Sequence, residues 1–147
     1  MESTEWSTPA LLRHARATYA NAMRQALEEA GYGDLPSNGL YVIGALAQGG
    51  DEAALGDIIR GMQMSKQATG QLVDSLVARG YLTRATDDVD RRKLTVKLSE
   101  RGRDAAIAQW VGRGKIDAAL LAEVGPEAVS TLRRGLAALA KMGAQQV

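Results

Sequence analysis

The sequence predicts a mainly α-helical fold with one small β-hairpin, an α+β arrangement, and three observations predict it. Apolar residues recur at three- and four-residue intervals through most of the 147-residue chain. One stretch breaks that period: Leu94, Val96 and Leu98 alternate with Lys93, Thr95 and Lys97, the period of a strand with one buried face. Charge is segregated as well. The chain is near neutral at net +1, yet residues 1–59 hold three basic against eight acidic side chains, while residues 60–103 hold ten against five. The positive field therefore sits on the segment that carries the hairpin, which suits an anionic partner.

The elements follow in order. Thr8 is placed to cap a first helix with Pro9 at its first position, where a missing N–H costs nothing. Leu12, Ala15, Tyr19, Ala22, Met23, Ala26 and Ala30 form its apolar face, and Gly31 stops it. After a polar turn, Gly39 to Gln48 reads as a short, uncharged and hence buried helix, closed by Gly49 and Gly50. Ala53 to Arg60 reads as two helical turns. Gly61-Met62-Gln63-Met64 separates them from a longer helix that starts at Ser65 and ends at Gly80, the outline of a helix-turn-helix.

Residues 81–85 and 93–98 then form two strands joined by a projecting loop, so the domain is a winged helix-turn-helix. Ser99 caps a helix reaching towards Leu121, with Gly102, Gly112 and Gly114 tending to interrupt it. Gly125-Pro126-Glu127 opens a last helix carrying Val129, Leu132, Leu136 and Leu139. The terminal helices are amphipathic and must bury their stripes against each other or another subunit.

Composition excludes several functions. With no cysteine there is no disulfide, thiolate metal site or thiol redox sensor, and one histidine, His14, cannot make a catalytic pair or a His-rich zinc site. No metal or cofactor is expected. Nor is an enzyme, because no paired-carboxylate, nucleophile–base or phosphate-loop arrangement stands out. The acidic start, Met1-Glu2-Ser3-Thr4-Glu5, and the lack of a long apolar run give the expectation of a cytoplasmic protein with no membrane partner.

The DNA-reading residues are expected at two places. Ser65 caps the recognition helix and leaves free N–H groups for a phosphate. Lys66, Gln67, Thr69 and Gln71 lie in the turns that enter a major groove: Gln67 suits adenine, Thr69 a thymine methyl or phosphate, and Lys66 guanine or the backbone. At the wing, Arg91 suits the minor groove and Arg92 a phosphate, with Asp90 buttressing one of them and Lys93 adding charge. Asp87 and Asp88 would be repelled by phosphates and are expected to turn away or to cap the loop. A protein-interaction module, its basic face meeting an acidic protein, is the alternative.

The block Met64 to Thr69, Val73-Asp74-Ser75-Leu76, Gly80-Tyr81-Leu82, Asp87 to Arg92 and Leu98 to Gly102 resembles the MarR family of bacterial winged-helix transcription regulators, closely over residues 55–103. The resemblance implies a homodimer, with residues 1–34 a dimerisation helix, 35–98 the DNA-binding domain, and 99–147 a linker and C-terminal dimerisation helices. It further implies double-stranded DNA as partner, a palindromic operator with half-sites about one turn apart, and repression by family habit. A small aromatic or phenolic effector is implied between dimer layer and DNA-binding lobes, where His14, Tyr19, Tyr41 and Trp110 are placed to line a cavity.

Overall fold

A computed structural model describes residues 2, 5–86, 89–90 and 93–145. The chain divides into two compact units, Met1–Arg113 and Gly114–Val147. In order along the chain lie α1 (Thr8–Glu29), α2 (Gly39–Gln48), β1 (Glu52–Ala54), α3 (Leu55–Gly61), α4 (Lys66–Ala78), β2 (Leu82–Thr86), β3 (Leu94–Leu98) and α5 (Glu100–Gln145).

α1 is capped by Ser7 and not by Thr8: the Ser7 Oγ accepts the Ala10 N–H at 3.4 Å, and Thr8 and Pro9 already lie in the first turn. α2 has the predicted bounds, and its Leu40, Val42, Ile43 and Leu46 are buried. An uncharged helix can be enclosed on most sides without stranding a charge, which is why this one sits at the centre.

The two helical turns expected over residues 53–60 begin with a strand. Residues 52–54 pair with β3 in antiparallel register, Ala53 opposite Val96, and the helix starts at Leu55. Alanine has no strand preference of its own, so here the ladder offered by β3 overrides local propensity. Together β1, β3 and β2 form a three-stranded antiparallel sheet with β3 in the centre. Leu82 pairs with Leu98 and Arg84 with Val96 across β2 and β3. Val96 and Leu98 are buried as the alternation predicts, but Leu94 is exposed where the hairpin leaves the core.

The core gathers Leu27 of α1, the buried face of α2, Leu72, Val73 and Leu76 of α4, Tyr81, Leu82, Val96, Leu98 and Ala105. Burying these side chains is the main stabilising term, worth roughly 1.5–3 kcal/mol for each large one. Ser99 caps α5 as expected, accepting the Gly102 N–H at 3.0 Å.

Two α5 glycines do not interrupt the helix; they let other chain segments approach it. A Cβ at Gly102 would collide with the Tyr81 carbonyl, and one at Gly112 would lie 2.6 Å from the Ala22 carbonyl oxygen of α1. In the second unit, Gly125 departs from helical geometry at φ 83°, ψ 167°, immediately before Pro126. That left-handed conformation, open to glycine at little cost, makes the break expected between the last two helical segments.

Candidate nucleic-acid interface and adjoining cavity

α4 starts as its sequence requires. The Ser65 Oγ accepts the Ala68 N–H at 3.1 Å, so the cap uses one orphan donor of the first turn. Lys66, Gln67, Gln71 and Asp74 are exposed, and Gln67, Gln71 and Asp74 follow one another at four- and three-residue steps along one stripe. Thr69 is different. It is 0% exposed, packed with Leu72, Val73 and Leu76 on the inner side of the helix. The expectation that Thr69 touches a base or phosphate is corrected: with Leu72, Val73 and Leu76 it follows the three- and four-residue period of the buried face.

The wing runs beside this helix. Arg84 of β2 forms an ion pair with Asp74 of α4. Arg84 stands two residues from buried Leu82 and opposite buried Val96, so it continues the inner face of the sheet outward past the core. Further along, Lys93 is exposed, its N–H donating to the Asp90 carbonyl at 3.0 Å. Arg91 and Arg92, with Asp87 and Asp88, lie outside the described residues. Their expected roles rest on the sequence.

Behind α4 lies a polar cluster that periodicity did not reveal. The Tyr81 hydroxyl donates to the Asp34 carboxylate, and Arg101 donates to that carboxylate at 2.8 Å and to the Tyr81 hydroxyl at 3.0 Å. Arg79, at the end of α4, donates to the Asp34 carbonyl. The hydrogen bond from Tyr81, helped by the positive charge of Arg101, holds the Asp34 carboxyl below its usual range. Burial, and then the bond to Asp34, push the Tyr81 hydroxyl above its usual range. Four residues from the α1–α2 turn, the α4 end and the α5 start are thereby tied together.

A cavity of about 830 Å³ lies in the first unit, walled by Met23, Leu40, Tyr41, Ala106, Ile107 and Trp110, with Asp51, Arg103, Gln109 and Arg113 among its polar lining. Tyr41 is fixed from α1 by Arg16, whose Nε donates to the phenol oxygen at 3.1 Å. The Arg113 guanidinium stacks over Trp110 at 4.0 Å. Gln109 is 6% exposed; its Nε2 donates to the Leu40 carbonyl at 2.9 Å, and its Oε1 has no hydrogen-bond partner among the described residues.

Of the four residues expected around such a cavity, Tyr41 and Trp110 line it. His14 and Tyr19 do not: His14 stacks on Trp6 with ring centroids 4.4 Å apart, and half-buried Tyr19 lies one turn of α1 before Met23, the one α1 residue in the lining. An aromatic on the right helix need not face the right way. Gln109, a polar residue in a helix interior, was the signal that sequence reading passed over. Among the described residues no group of three or more His, Asp or Glu could hold a metal, and no helix is long and apolar enough to cross a membrane.

A sequence model of the MarR family matches residues 34–93. Among solved structures, a MarR transcriptional regulator from Methanosarcina mazei Go1 superposes with a TM-score of 0.77 at 17% identity, over 95% of this chain and 100% of that one. NadR in complex with 4-hydroxyphenylacetate gives 0.75 at 21% identity, over 96% and 97%. A MepR mutant from S. aureus bound to an oligodeoxyribonucleotide gives 0.59 at 19%, over 94% and 99%. At these identities the likeness is one of fold. No curated protein matches the chain.

Proposed function

We propose that this chain, whose residues 34–93 match a sequence model of the MarR family, is a member of that family and acts as a homodimeric transcriptional repressor that grips a palindromic operator. Each α4 enters a major groove, with Lys66, Gln67 and Gln71 towards base edges and phosphates and Ser65 at the helix start. The wing reaches the neighbouring minor groove through Arg91, with Arg92 and Lys93 on the backbone and Asp90 as buttress. One observation carries this reading: the exposed stripe of α4 and the wing strand β2 are joined side by side through Asp74 and Arg84, so both sets of contacts can meet one duplex.

The second copy docks on the stripe of the second unit, where Leu121, Val124, Leu132, Leu136, Leu139 and Met142 are exposed. The effector is a small aromatic or phenolic molecule in the cavity, held by Tyr41 and Trp110. The cavity volume supports this, as does the aromatic ligand in NadR.

The test is selection of bound fragments from genomic DNA, followed by binding of the selected duplex across a salt series. About 6 to 10 phosphate contacts lower affinity some 10³- to 10⁵-fold between roughly 50 and 200 mM salt. Lys66→Ala and Arg91→Ala are each expected to weaken binding and flatten that dependence. Equal binding by wild type and Arg91→Ala removes the wing from the interface. Nuclease-insensitive capture of an acidic protein, with no duplex bound, replaces the whole reading by the protein-interaction alternative.

A further inference from the structure

Asp74 is the only acidic residue of α4, and it stands on the exposed stripe with Gln67 and Gln71. A bare carboxylate on a surface that meets phosphates is repelled by them, so its presence there calls for a reason. The reason is on β2. Arg84 lies on the inner face of the sheet, opposite Val96, and reaches across to Asp74, joining the middle of the recognition helix to the middle of the wing strand.

A guanidinium carries five N–H donors in a fixed fork, and one carboxylate engages at most two in parallel. The remaining edge is available to a second anion. Both partners keep contact with solvent, the Arg84 side chain at 38% and that of Asp74 at 61% exposure, so a phosphate can reach the pair. Such a pair contributes little to folding at an exposed site. It does fix the direction of a long side chain that otherwise samples many rotamers, and prior ordering lowers the cost of binding.

Resting on the DNA-binding reading above, we propose that Arg84 is a phosphate-contacting residue of the interface and that Asp74 is the positioning residue that aims it. Asp74 is thus a negative charge whose net effect on binding a polyanion is favourable. Coulombic repulsion alone gives the opposite sign.

The experiment uses the full chain and a mixed-sequence DNA duplex, with fluorescence anisotropy across a salt series for wild type, Arg84→Ala, Arg84→Lys, Asp74→Asn and the Arg84→Ala, Asp74→Asn double variant. Arg84→Ala is expected to lower the slope of log affinity against log salt by about 0.9 per protomer. Arg84→Lys, which keeps the charge and tests for a mere loss of fold in the alanine variant, is expected to keep the slope. Asp74→Asn is expected to weaken binding about two- to fivefold when Arg84 is present, the range of an exposed pair, and to tighten it when Arg84 is absent. A salt-dependent wild type with an unchanged Arg84→Ala slope, or with tighter binding by Asp74→Asn alone, overturns this assignment and leaves the DNA reading standing. A wild type that shows no salt-dependent binding overturns both.

Discussion

α2 and the last stretch of α5 are both rich in apolar residues, and they meet opposite fates. α2 carries no charge, and Leu40, Val42, Ile43 and Leu46 vanish into the core of the first unit. In the second unit Leu132, Leu136 and Leu139 recur along one side of a helix whose other side holds Arg133, Arg134 and Lys141, and they stay 37–46% exposed. The difference teaches how to read apolar content. A helix apolar all round is enclosed by its own chain, whereas one apolar along a stripe states only that something must cover that stripe.

Three changes break or sharpen that contrast. Truncating the enclosed side is expected to have the largest effect: Leu76→Ala, at a fully buried α4 position facing α2, should cost about 2–5 kcal/mol of unfolding free energy in a urea titration. Charging the striped side should act on assembly instead. Leu132→Glu combined with Leu136→Glu is expected to move the mass in analytical ultracentrifugation from dimer to monomer, with the far-ultraviolet dichroism of the winged core retained. A dimer that survives removes this stripe from the subunit interface.

The smallest effect concerns the polar ties behind α4. Because the Asp34 carboxyl is held low, the stability it contributes is present above about pH 4 and is lost as pH falls through its lowered value. Because the Tyr81 hydroxyl is held high, its contribution is present below about pH 10 and is lost as pH rises through the raised value. The gap between wild type and Asp34→Asn should therefore be flat at neutral pH and close in acid, and that for Tyr81→Phe should close in alkali. With Asp34 almost half exposed, the acid effect is about 1 kcal/mol or less. Denaturant midpoints across pH read both.

Most of the fold was legible because its signals are local. The bounds of α2, the Ser65 cap, the Gly80 stop and the alternation of β3 each depend on a few neighbouring residues. Much of what escaped is set across long sequence distances. Ala53 and Ala54 become a strand only because β3 presents a free edge, and Asp34 meets residues 47 and 67 positions away. The site was legible in its residue types more than in its directions. Lys66, Gln67 and Gln71 face outward as expected, but Thr69 shares their polarity and points inward, because the position of a residue on a helix outranks its chemistry. His14 and Tyr19 lie outside the lining of the cavity for the same reason.

Where Gly112 meets the Ala22 carbonyl, two rods touch backbone to backbone, without the usual cushion of side chains. A side chain at this joint would force the two backbones apart. Gln109 and Trp110 stand just short of it on the cavity wall, while Arg101 lies about 16 Å down the same rod, at 1.5 Å per residue. Gly102, next to Arg101, meets the Tyr81 carbonyl in the same way, so the stretch of α5 that walls the cavity is held between two contacts that admit no side chain.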